Sequence, residues 1–241
     1  MQSTTNKAQL INPKDLFVAS WKVYQRGFFH FIGMYLWGLV GVLPLAVVAA
    51  TAVLLYTQAG WNNAFFYVIA GLLGLAALAW AIYYTTRAKI GWLVLIKNDF
   101  KDIKASFKET KPYFWTYLWA SLITGLITFA LVFFLVIPAI IVGVLYAFAT
   151  FAIVFEGKRT FSSIERSYDL VKNYWWPVFG RFVLLGVVAM IVSVALNFPL
   201  DYLEGAAHDL LVFLINVFWA LVGPFFLVYS YQLYLDLKSK N

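Results

Sequence analysis

Six long apolar runs separated by short polar ones organise the chain, at roughly residues 28 to 52, 65 to 86, 114 to 136, 139 to 156, 176 to 198 and 209 to 233. A helix rises about 1.5 Å per residue and the hydrocarbon core is about 30 Å thick, so about 20 apolar residues make one crossing. The pattern predicts an all-α, polytopic membrane protein with six transmembrane helices. No charged residue falls between Ser121 and Phe155, and as one helix that stretch would be about 52 Å long. It must fold back, and Pro138 in FLVIPAII is the predicted turn. Pro44 and Pro224 lie inside long spans and predict kinks, with Gly223 loosening the second.

The polar segments repeat. Residues 161 to 176 (FSSIERSYDLVKNYWW) align without a gap on residues 100 to 115 (FKDIKASFKETKPYFW), and Phe, Ile, Ser, Lys, Tyr and Trp coincide. A fainter copy, KDLFVASWKVYQRGFF, precedes the first span, with Ser20 matching Ser106 and Ser167. Three elbow-plus-hairpin units follow, over approximately 13–86, 100–156 and 161–233, within a single transmembrane domain spanning 1–241. As a helix, the third elbow gathers Phe161, Ile164, Tyr168 and Val171 on one face, with Ser163, Arg166, Asp169 and Lys172 on the others. The second gathers Phe100, Ile103, Phe107 and Thr110 likewise. Such segments are expected to lie in the headgroup layer, apolar face toward the acyl chains, as three cytoplasmic interfacial amphipathic helices. The interfacial aromatics Tyr113, Trp115, Tyr174, Trp175 and Trp176 then mark where the chain turns into the bilayer, helped by Pro112 and Pro177.

Composition agrees with this picture: 63% of residues are hydrophobic, 12% are charged, and the mean hydropathy is +0.80. The N-terminal stretch lacks the apolar core of a signal peptide, so the first span is expected to persist in the mature protein. Charge fixes an orientation. Four Lys and Arg precede the first span, seven lie between Arg87 and Lys111, four between Lys158 and Lys172, one is Arg181 and two are C-terminal, while the opposite connections hold none. By the positive-inside rule both termini face the cytoplasm.

Residues 130 to 190, with IPAIIVGVLYAFATFAIVFEGKRTFSSIERSYDLVKNYWWPVFGRFVLL at their centre, also resemble a known pattern. A Pro turn, a span ending in Glu, a Ser-aromatic amphipathic helix and an aromatic entry to the next span follow one another. This is similar to the membrane domain attached to some glycerophosphoryl diester phosphodiesterases, and to related stand-alone six-span proteins. The matching positions are Pro138, Glu156, Arg166, Ser167, Tyr168, Trp176 and Gly180, and the C-terminal LYLDLK looks like the family's ending. The resemblance implies a fold and a bacterial or archaeal cytoplasmic (inner) membrane address, not a reaction.

Chemistry is sparse. There is no cysteine, and the two histidines, His30 and His208, fall at opposite membrane surfaces in this topology. HExxH, GxSxG, P-loop and pre-helical GxGxxG motifs do not occur. No catalytic residue, cofactor or metal site is expected, and no nucleic-acid partner. Arg87, Lys89, Lys104, Lys108, Lys111, Arg166, Lys172 and Arg181 are the candidate contacts for anionic lipid headgroups on the cytoplasmic side. Glu156 and Arg181 could form an interfacial ion pair. Asn197 and Asn216 are polar residues within spans, read first as interhelical hydrogen-bonding groups. The expected function is non-enzymatic, lipid-interacting or scaffolding, with a protein partner possible. The alternative is a small-molecule or lipid transporter, although no Asp or Glu falls at mid-membrane to serve a proton relay.

Overall fold

The computed structural model describes residues 10–240, with the side chains of all but Phe133 and Phe134. Nine α-helices make up the described chain: α1 Pro13–Gln58, α2 Ala64–Lys97, α3 Ile103–Glu109, α4 Phe114–Phe134, α5 Val136–Tyr146, α6 Ala149–Glu156, α7 Thr160–Val171, α8 Trp175–Asn197 and α9 Gly205–Lys238. Short 3-10 turns cover Lys111–Tyr113 and Phe198–Tyr202, and no strand occurs among the described residues. Six stretches are long and apolar enough to cross a membrane, and each predicted run lies within one or overlaps it. The contacts divide the chain into two units, one from the N-terminus to Arg26 together with Ala120 onward, the other Gly27–Trp119.

In the Gly27–Trp119 unit, α2 runs eleven residues past the end predicted for its span. Arg87 and Lys89 mark a fall in hydropathy, not a helix end. Beyond them Ile90, Leu93, Val94 and Leu95 are fully buried in protein, so the same helix continues on packing alone. Small residues let α1 meet α2 and the segment that follows it closely. A β-carbon at Gly41 would collide with Tyr84, one at Gly33 with Ile103 and one at Gly27 with the Phe100 ring, while one at Gly91 would lie 2.5 Å from the Met34 sulfur. After α2, Asp99 and Phe100 take left-handed backbone, φ 52° and 58°. A bulky residue holds that conformation only when its surroundings compensate. Phe100 is buried, its ring 5.4 Å from that of Phe31.

The second elbow, α3, starts on Asp102, whose carboxylate accepts from the Lys104 and Ala105 amides, both at 3.1 Å. Its apolar face was expected to meet acyl chains. Instead Phe107 and Thr110 are buried, and Phe107 stacks on Trp37 of α1 at 5.2 Å. The glycine-lined surface of α1 offers that face a closer partner than lipid could.

In the other unit, the first elbow is not a separate helix but the opening of α1. RGFFH lacks the proline that follows the other two elbows, at Pro112 and Pro177, so nothing stops the helix. This opening runs antiparallel to α9. The Ile11 amide donates to Asp236 at 2.7 Å, and thirteen residues on, the Tyr24 hydroxyl donates to the Leu221 carbonyl at 2.9 Å. Pro224 lacks the N–H that would serve the Ala220 carbonyl, one residue before the Leu221 carbonyl that the phenol reaches. Both α1 and α9 nevertheless run unbroken through Pro44 and Pro224.

The fourth span is two helices. Leu135, extended at φ −162°, separates α4 from α5, so the break falls three residues before Pro138, which sits in the first turn of α5 where proline is tolerated. A second break at Ala147 and Phe148 separates α5 from α6. There the buried Ser167 of α7 donates to the Leu145 carbonyl at 2.7 Å and accepts from the Phe148 amide at 3.0 Å. One hydroxyl thus satisfies two backbone groups that the broken ladder leaves open.

The third elbow, α7, packs on α5 and α6 through Ser163, Ser167, Leu170 and Val171. Its opposite side is open, with Phe161 75% exposed and Tyr168 also exposed. A buried serine faces the protein in both elbows, but α7 leaves its aromatic residues outward where α3 buries Phe107.

Candidate functional site

Three polar side chains of the larger unit converge on the carboxylate of Glu156. Gly157, left-handed at φ 67°, ends α6, with its amide bonded to Ile153 at 3.1 Å and that of Lys158 to Ala152 at 3.2 Å. The Gly157 bond is that of a left-handed (αL) closure, which glycine makes without steric penalty. Glu156 is therefore the last helical residue. On α9, Tyr234 and Lys238 are one turn apart on one face, and α7 brings Arg166. The Tyr234 hydroxyl donates to Glu156 Oε1 at 2.7 Å, Arg166 Nε to Oε2 at 3.0 Å, and Lys238 Nζ lies 3.5 Å from Oε1. The Glu156 side chain is 12% exposed and Tyr234 fully buried. Three helices are tied together at one anion, and charge-assisted bonds of this kind are about twice as strong as neutral ones.

A second junction lies on α9. Asp236 accepts from the Ile11 amide, and the buried Arg181 of α8 donates to the Ile11 carbonyl and, at 2.9 Å, to that of Pro177. Asp236 also meets Lys240 at 3.2 Å. The expected Glu156–Arg181 ion pair does not form. Arg166 reaches Glu156 first because the Gly157 turn folds α7 back alongside α6, and Arg181 is taken up by the start of the chain.

The expected headgroup contacts divide. Lys89, Lys104, Lys108, Lys111 and Lys172 are exposed. Lys172 pairs with Asp169 at 2.5 Å, and that hydrogen bond raises its pKa above the usual lysine range. Arg87 is not available to lipid: it is 8% exposed and caps α3 from within. Its Nη2 donates to the Phe107 carbonyl at 2.7 Å and its Nε to Thr110 Oγ1 at 2.8 Å, with the guanidinium 4.3 Å from the Phe107 ring centre. A cation at a helix C-terminus meets the negative end of the helix dipole. Arg181 is likewise turned inward.

Of the aromatics, Trp115 and Trp176 are exposed, the latter 74%. The Trp175 indole donates to the Ile141 carbonyl at 3.2 Å, and the Tyr113 hydroxyl accepts from Lys97 at 3.1 Å. Asn197 and Asn216 bond back to their own helices, at Ser193 and Val212, so neither bridges helices. An apolar cleft of about 220 Å³ between the opening of α1, α8 and α9, edged by Trp21, Tyr24 and Trp219, holds no charged group.

Sequence reasoning passed over Tyr234, Asp236 and Lys238 as functional positions. The signal was the alternation in LYLDLK, where Tyr and Lys fall on one helix face and Asp on another.

The class is thus an all-helical protein with six helices long and apolar enough to span a membrane. The chain belongs to the DUF7847 family, a domain of unknown function whose model matches residues 2–237. No curated protein and no solved structure matches it.

Proposed function

We propose that the protein is a non-enzymatic, multi-pass component of a bacterial or archaeal cytoplasmic membrane, with both termini cytoplasmic, that binds anionic lipid and serves a scaffolding or accessory role. The observation that carries this reading is the two-sided packing of α7. Its face of Ser163, Ser167, Leu170 and Val171 is buried against α5 and α6, while Phe161, Tyr168 and the following Trp176 project outward beside exposed Lys158, Arg159 and Lys172. A helix with aromatic and basic side chains left open next to a span suits the headgroup layer.

Threefold repetition is part of the proposal. Ser20, Ser106 and Ser167, equivalent in the alignment, are all buried. Each elbow also packs against the end of a span: α3 and α7 on the preceding α2 and α6, and the opening of α1 on the last helix, α9. The motif positions shared with the phosphodiesterase-associated membrane domain support a common fold, since Glu156, Arg166, Ser167 and the LYLDLK ending all join in the same helix junctions. The non-enzymatic reading rests on a sequence with no cysteine and no HExxH, GxSxG, P-loop or pre-helical GxGxxG motif.

Because the chain is free of cysteine, single cysteines report topology directly. Lys172→Cys should resist a membrane-impermeant maleimide in intact cells and react after lysis. Reaction in intact cells would overturn the orientation. For lipid binding, the full chain in nanodiscs should gain thermal stability when phosphatidylglycerol replaces part of the phosphatidylcholine; equal stability in both refutes it.

A further inference from the structure

We infer that Arg166 and Lys238 form a binding site for a single phosphate group, for which Glu156 is the positioning residue. This deepens the lipid reading above and rests on it. Arg166 meets Glu156 through Nε alone, and its two terminal nitrogens have no acceptor among the described residues. The carboxylate is already taken by Tyr234 and Lys238 on Oε1, so it cannot also draw in the outer edge of the guanidinium. That edge is a planar pair of donors whose geometry matches two oxygens of one phosphate. Arg166 Nε and Lys238 Nζ both lie within 3.5 Å of the same oxygen, so the ammonium stands beside the fork.

The charges leave the site cationic. One carboxylate faces Arg166 and Lys238, and Lys158 and Arg159, just beyond Gly157, have no carboxylate partner among the described residues. Access is open, because the Arg166 side chain is 25% exposed and that of Lys238 is 43% exposed. The fork is also held rigid. Tyr234 is fully buried and fixes Glu156, which fixes Nε, so little side-chain freedom remains to be lost when an anion docks. The ligand chemistry is a phosphate oxyanion, from a lipid phosphodiester or from a soluble phosphate.

The test uses the full chain in nanodiscs of phosphatidylcholine with added phosphatidylglycerol, reading retained lipid by native mass spectrometry and melting temperature in parallel. The wild type should retain phosphatidylglycerol about tenfold better than phosphatidylcholine. Arg166→Lys keeps the charge and loses the fork, and should lower that preference to about twofold. Lys238→Gln should lower it similarly, while Lys22→Gln, an exposed lysine on the opening of α1 away from the cluster, should leave it intact. Inorganic phosphate that displaces the retained lipid supports the site and assigns a soluble source; lipid that resists it supports the site and assigns the headgroup. A preference unchanged in both Arg166→Lys and Lys238→Gln overturns the inference while the general lipid reading stands. No preference in the wild type overturns both.

Discussion

Ser167→Ala isolates the break in the fourth span. The substitution removes a donor to the Leu145 carbonyl and an acceptor for the Phe148 amide, and Phe148 and Ser167 are both fully buried, so water cannot replace the hydroxyl. If the two backbone groups are stranded, each contributes a desolvation penalty of about 1–3 kcal/mol, for a loss of about 2–4 kcal/mol after partial relaxation. If the pair behaves like average hydrogen bonds between membrane helices, at about 0.6 kcal/mol each, the loss is only about 1 kcal/mol. Ser20→Ala is the control. Ser20 is equally buried, but its hydroxyl donates to Leu16 one turn back in its own helix at 2.6 Å. That carbonyl keeps its place in the helix ladder, so the change should stay within about 0.5 kcal/mol. Unfolding of both variants in mixed micelles, followed by tryptophan fluorescence against denaturing detergent, gives the comparison. A Ser167→Ala loss no larger than that of Ser20→Ala would show that the broken ladder finds other partners, and would refute the reasoning.

Gly41→Ala should destabilise by about 1–3 kcal/mol in the same assay, because the new β-carbon meets Cβ and the backbone of Tyr84, which cannot swing away, whereas Gly71→Ala has open space and should be neutral or slightly stabilising. Arg87→Lys should lower stability by about 2 kcal/mol despite keeping the charge, since one ammonium cannot serve both the Phe107 carbonyl and Thr110 while lying over the Phe107 ring. Gly157→Ala forces a side chain into left-handed backbone and should lower stability by about 1 kcal/mol, read as a shift in melting temperature; no shift would mean the turn after α6 can reshape freely.

The number and position of the six apolar helices were legible in the chain, because crossing a bilayer imposes a length and an apolar composition that any packing must respect. So were the two later elbow breaks, since Pro112 and Pro177 act locally. The ends of α1 and α2 were not. Hydropathy falls at Arg87, yet the helix continues because Ile90 to Leu95 find burial in protein, which a hydropathy profile cannot tell from burial in lipid. The same ambiguity hid the fate of the elbows. Phe107 and Tyr168 hold matching positions in the aligned elbows, and one stacks on Trp37 while the other stays exposed.

Charge partners were decided later still. Glu156 and Arg181 are ionic, near in sequence and both close to span ends, and composition makes them a reasonable pair. The left-handed turn at Gly157 instead brings Arg166 to the carboxylate, and α9 adds Tyr234 and Lys238 from far along the chain. A residue's type and spacing determine that it needs a partner, since a buried charge or an open backbone group is costly wherever it lies. Which partner it takes depends on how the helices meet, and only the tertiary structure decides that.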